Sequence, residues 1–220
     1  MYSAADNRLD LIVEPEIEIA PRPCPSARWE SFPYSCLGHH GTECCDIARE
    51  WVLAYDFAQL NGADALSGPR WLRQRYKWGP SPWPMHWCEA VERKTLDCGA
   101  LGCMAREVFH ARGQTAFPAQ FVQQYTTEAT AQWQGAWDEE KVSTHWIDED
   151  IIYHEATALL IGEDEVKLFD PSAGWWVNPR QTGGYGALLE VRVHDGAGRV
   201  YRWGDHRLTG DSWTKVAERA

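Results

Sequence analysis

The chain has 220 residues and a formal net charge of -11, from 21 Lys+Arg against 32 Asp+Glu. That length supports one substantial core and a single catalytic or binding domain, and the acidic balance, with no basic run, excludes a phosphate-tracking nucleic-acid surface. No stretch reaches the roughly 20 apolar residues needed to cross a bilayer and residues 1–20 do not read as a signal peptide, so a cytoplasmic protein without membrane or nucleic-acid partners is expected.

Residues 1–35 carry Pro15, Pro21, Pro23, Pro25 and Pro33. Repeated prolines remove backbone donors, so this stretch is expected to be an extended arm with at most an edge strand near 16–20, followed by one domain over 36–220. Thr42 can cap a helix over 43–61, where Cys45, Ala48, Trp51, Val52, Tyr55 and Ala58 recur at helical spacing. A short helix is expected over 69–77, then an irregular, proline-rich segment over 79–84.

Asp97 can cap a helix over 98–112 that stops at Gly113. Positions 98, 101, 105, 108 and 112 fall on one stripe, with Leu101, Ala105 and Val108 facing a core and Cys98 in the first turn. Downstream, alternation predicts strands around 117–121, 151–161, 165–169, 187–193 and 199–203. Helices followed by an antiparallel sheet make an α+β pattern.

Seven cysteines, at 24, 36, 44, 45, 88, 98 and 103, are an odd number without the spacing of a secreted disulfide framework. Cys98 stands apart because a thiol at a helix N-terminus has its thiolate stabilised by unpaired N–H groups and the helix dipole. Gly99 and Ala100 leave room for a carbonyl to approach, whereas the Asp97 carboxylate opposes ionisation, so the thiol needs an activating base. His154 lies on the strand face carrying Ile152, Ala156, Ala158 and Leu160 and must find a polar partner there. If 162–164 is a short turn, the next strand brings Asp170 beside it, on the face of Val166 and Leu168. Cys103, about 140° around the helix from Cys98, is assigned to packing. Cys88 could lie near the site, and Trp83, Trp87, Trp146, Trp175 and Trp176 flank it in sequence. A weaker alternative is a metal cluster from Cys36, His39 and Cys44, with His40 and Cys45 close by.

The segment Asp97-Cys98-Gly99-Ala100 through Gly102, Met104 to Phe109 and Gly113 resembles the nucleophile helix of the transglutaminase-like superfamily. His154-Glu155-Ala156, followed by Phe169-Asp170-Pro171-Ser172, resembles that superfamily's histidine strand and its Asp-Pro ending, in the same Cys, His, Asp order. The two segments cover about a third of the chain. The resemblance implies a papain-like α+β fold in which a nucleophile helix packs on an antiparallel sheet and Cys98, His154 and Asp170 form a catalytic triad. It implies attack on an amide or thioester carbonyl through a thioester acyl-enzyme, without a cofactor. The substrate would be a small-molecule, peptide or carrier-bound acyl group. Amide hydrolysis, as in an amidase or peptidase, ranks ahead of acyl transfer to an amine, and a non-catalytic, zinc-bearing binding module is the remaining alternative. The backbone N–H of Cys98 would be one oxyanion donor, with Trp87 or His86 considered for the second and Gly99 and Trp175 as further parts of the pocket.

Overall fold

The computed structural model describes residues 37–39, 43–60, 66–139, 147–148, 150–162, 165–177, 187–194, 200–202, 208–209 and 212–214. The arm expected over 1–35 therefore lies outside the described residues.

The helices are α1 (Glu43–Leu60), α2 (Trp71–Arg75), α3 (Trp87–Glu92), α4 (Cys98–Ala111) and α5 (Thr127–Glu139). The strands are β1 (Lys77–Trp78), β2 (Thr95–Leu96), β3 (Ala116–Gln124), β4 (Ile147–Asp148), β5 (Ile151–Leu160), β6 (Glu165–Asp170), β7 (Trp175–Trp176), β8 (Ala187–Val193), β9 (Val200–Arg202), β10 (Leu208–Thr209) and β11 (Ser212–Thr214). The fold is α+β. One antiparallel sheet runs in the order β10-β11-β6-β5-β3-β8-β9, with β4 added on β5 and β7 on β6, and β1 and β2 form a separate parallel pair.

Helix α1 follows its apolar spacing, with Cys45, Ala48 and Val52 buried. The helix expected over 69–77 is shorter, because Tyr76 is already extended at ψ 132° and Lys77–Trp78 pair with Thr95–Leu96 as a strand. The segment 79–84 is irregular, as its prolines require, and its Trp83–Pro84 peptide bond is cis.

Helix α4 is the centre of the fold. Asp97 caps it by accepting a hydrogen bond from the Ala100 amide at 2.9 Å, and Gly113 leaves it at φ +77°, a conformation that favours glycine. Its burial exceeds the single stripe expected, since Gly99 to Arg106, Val108 and Phe109 are all buried. The helix is packed from several sides, by α1, β3 and β5.

Two apolar clusters lie about the sheet. Leu159 and Phe169 join the helical core of Leu72, Leu96, Leu101, Met104 and Phe109, while Ala119, Phe121, Ala156, Ala158, Leu168 and Val191 form the second cluster. Strand alternation explains this split, since 156 and 158 point opposite to 157 and 159. Both faces of β5 are consequently buried along much of its length. Among the described residues no helix is long and apolar enough to cross a membrane.

Candidate active site

The position of Cys98 follows from how α4 lies on β5. Thr157 Oγ1 donates to the Gly102 carbonyl at 3.2 Å, and a Cβ built on Gly102 would lie 3.7 Å from the Ala156 carbonyl. One helical turn back from Gly102 is Cys98, about 6 Å away along the axis. Two or three residues back along β5 is His154, about 7–10 Å along the strand. The Cys98 thiol lies close enough to His154 for each to act on the other's ionisation.

His154 Nε2 lies 2.8 Å from Asp170 Oδ2, and both side chains are largely buried, at 12% and 3% exposure. With Nε2 on the carboxylate, Nδ1 is the ring nitrogen left for the thiol. The imidazole also packs on Phe121, its cross-strand partner on β3, with ring centroids 5.9 Å apart. The β5–β6 register places Thr157 opposite Phe169. Continued by one residue, it sets Asp170 beside Ala156, two positions from His154 on the same face. The adjacency expected of His154 and Asp170 is realised as direct contact.

The Asp-Pro ending explains how Asp170 is held. Its Oδ1 accepts the amides of Ser172 at 2.8 Å and Ala173 at 3.3 Å, while its backbone carbonyl accepts the Gly174 amide at 2.8 Å. One carboxylate oxygen is thus committed to the turn and the other to the histidine. Gly174 adopts φ +76° where a side chain would also crowd Arg73 Cβ, so the turn demands glycine there.

Burial opposes charge on all three groups, and the partners decide the outcome. For His154, burial disfavours the imidazolium, but Asp170 and the Cys98 sulfur outweigh it and raise its pKa well above 6.5. For Cys98, burial raises the pKa, partly offset by His154, and the Asp97 and Glu155 carboxylates push it further up. The carboxylate penalty expected from Asp97 is therefore present, and His154 is the group that counters it. Burial also raises the Asp97 carboxyl above its ordinary value, against hydrogen bonds from Ala100, Trp83, Ser81 and Gly99.

At the helix start, the Asp97 carboxylate accepts the amide of Ala100, and the Leu101 amide goes to the Asp97 carbonyl. Trp87 stands on the preceding helix. It begins α3, is buried in the helical core at 4% exposure and donates its amide to the Gly38 carbonyl. His86 closes the α3 capping box with Glu89. The indole that reaches the nucleophile's cap is that of Trp83, whose Nε1 donates to Asp97 Oδ2. Trp175 pairs with Asp170 across β6 and β7, shares its sheet face and is exposed, whereas Trp176 turns into the core against Phe109 and Phe169. Trp146 lies outside the described residues.

Sequence reasoning missed Tyr125 and the aromatic group on α5. Burial and then the Asp170 carboxylate hold the Tyr125 phenol firmly protonated. Its ring packs on Trp133 at 4.8 Å, and Trp78 contacts Trp133 at 6.0 Å and Trp137 at 5.2 Å. A signal was available: Thr126 Oγ1 caps α5 by accepting the Ala129 amide, and Thr130, Trp133 and Trp137 stand at helical spacing.

The metal alternative falls only partly on described residues. Cys36 and His40 lie outside the described residues, and His39 Nε2 is 2.8 Å from Asp46 Oδ1. Among the described residues no group of three or more His, Cys, Asp or Glu side chains is arranged to hold a metal ion. Cys103 is buried and accepts the Leu37 amide at 3.4 Å, in keeping with its packing assignment. No family model, no curated protein and no solved structure matches this chain.

Proposed function

We propose that the chain is a cysteine enzyme of papain-like, transglutaminase-like architecture that attacks an amide or thioester carbonyl, with amide hydrolysis as its principal reaction. The observation that carries this reading is the buried chain of contacts from Cys98, at a helix N-terminus, through His154 to Asp170 Oδ2 at 2.8 Å. A core histidine needs one polar partner, and this one has a carboxylate on Nε2 and a thiol close enough to act on its ionisation.

In this reading His154 takes the Cys98 proton and Asp170 stabilises the imidazolium that results. The thiolate adds to the carbonyl carbon, and the oxyanion forms beside the Cys98 amide, the first N–H of α4. The protonated His154 donates to the leaving amine or thiol as the carbon–sulfur thioester remains. Water, activated by the neutral imidazole, then releases the acid and restores the thiol. An amine acceptor in place of water would give acyl transfer by the same steps. An intracellular, reducing setting fits a reaction that requires Cys98 as a thiol.

The test is to incubate the protein with amide and thioester substrate libraries and read the mass added to Cys98. An acyl adduct that is absent in Cys98→Ser and forms far more slowly in His154→Gln supports the reading. A library in which no member acylates Cys98, or in which adducts form equally on Cys44, overturns it. Released acid or amide product then separates hydrolysis from transfer.

A further inference from the structure

A second group of thiols lies away from Cys98. Cys45, on α1, has its Sγ 3.7 Å from Cys88 Sγ on α3, and the adjacent Cys44 thiol also lies close enough to act on Cys88. All five described cysteines are thiols, and within this group they range from exposed Cys44 through half-buried Cys88 to fully buried Cys45. We propose that Cys44, Cys45 and Cys88 form an oxidisable site in which Cys88 is joined by a disulfide to one of the two α1 cysteines.

The geometry makes Cys88 the obligatory member. Neighbouring residues on a helix point about 100° apart, so Cys44 and Cys45 cannot bridge each other while α1 remains helical. Each can bridge to Cys88. Closing 3.7 Å to a covalent bond requires about 1.7 Å of sulfur movement, within reach of side-chain rotation and a small shift of α3 against α1.

The order of events follows from access and acidity. Exposed Cys44 meets a small-molecule disulfide such as oxidised glutathione first. Its thiolate attacks one sulfur, forms a mixed disulfide and releases one glutathione thiol. Cys88 then loses its proton to solvent and attacks the Cys44 sulfur, forming the Cys44–Cys88 bond and expelling the second glutathione thiol. Two protein thiols are oxidised and one glutathione disulfide is reduced. Buried Cys45, in contact with Cys88, can exchange into the bridge and shelter it from solvent. Burial, then the Cys44 and Cys45 thiols, push the Cys88 pKa up to about 11, so the second step is slow at neutral pH and accelerates by about tenfold per pH unit below that value.

The wild-type protein, incubated with oxidised glutathione, alkylated with N-ethylmaleimide and digested with trypsin without reduction, tests this directly. Cys88 falls in peptide 78–93, Cys44 and Cys45 in 29–49 with Cys36, and Cys98 and Cys103 in 95–106. The expected product joins 78–93 to 29–49, with fragmentation placing the bridge on Cys44 or Cys45. Its formation is about tenfold faster at pH 8 than at pH 7, and Cys88→Ala leaves glutathione stably on Cys44. Cys88 fully alkylated while Cys44 carries glutathione, a bridge to Cys36, Cys98 or Cys103, or rapid loss of glutathione from Cys44 in Cys88→Ala overturns the proposal. The wild-type peptide map decides by itself if the variant does not fold.

Discussion

Asp170→Asn isolates the electrostatic part of the proposed chemistry. The substitution keeps a carbonyl oxygen for the Ser172 amide and fits the same volume, but it removes the negative charge 2.8 Å from His154 Nε2. A hydrogen bond to a charged group contributes about 1.5–3 kcal/mol, and each 1.36 kcal/mol is one pKa unit, so the imidazolium loses roughly one to two units of stabilisation. The thiolate–imidazolium form of Cys98 and His154 falls by about 10- to 100-fold at neutral pH. The assay is the rate of iodoacetamide alkylation at Cys98, followed by mass spectrometry under reducing conditions, with exposed Cys44 as the internal reference. Cys98 is expected to slow by that factor while Cys44 is unchanged. A Cys98 rate within about twofold of wild type, in a variant with unaltered melting temperature, would refute the role given to Asp170.

Three further outcomes are expected. Asp56 is buried and accepts Trp71 Nε1 at 2.8 Å and Arg112 Nη2 and Nε at 2.6 and 2.8 Å, so Asp56→Ala strands a buried guanidinium. It should cost about 3–5 kcal/mol in urea denaturation, and a loss under about 1 kcal/mol would contradict the importance of that network. At Gly68 an added Cβ would overlap the Phe169 ring, which precedes Asp170. Gly68→Ala should therefore lower stability by about 1–3 kcal/mol and slow Cys98 alkylation as well, and an unchanged melting temperature would show that Phe169 yields freely. For pH dependence, the folded His154 pKa lies above its ordinary 6.5, so the folded state binds that proton more tightly. Its contribution to stability is fully present below about pH 6.5 and is lost as pH rises through the folded value, which a comparison of wild type and His154→Gln melting temperatures between about pH 6 and 10 would reveal. A difference between the two that does not narrow with rising pH would contradict the sign.

Sequence by itself determined the parts of this protein governed by local chemistry. Asp97 and Gly113 mark the ends of α4 because a capping carboxylate and a left-handed glycine satisfy helix termini within a few residues, wherever the helix is packed. His154 and Asp170 could be placed side by side because strand alternation and a short connection bring them to adjacent strands on one face. Only the tertiary structure decided which of the flanking tryptophans meet the site: Trp83 holds Asp97, Trp87 goes into the core, and Trp78, Trp133 and Trp137 gather with Tyr125 on the Asp170 side. It likewise decided that Arg112, placed on an apolar stripe by its spacing, is buried against Asp56, and that Cys88 meets the cysteines of α1. These pairs are 56 and 43 residues apart along the chain. No local propensity records such a contact, since what selects it is the packing of helices whose relative placement depends on the whole core.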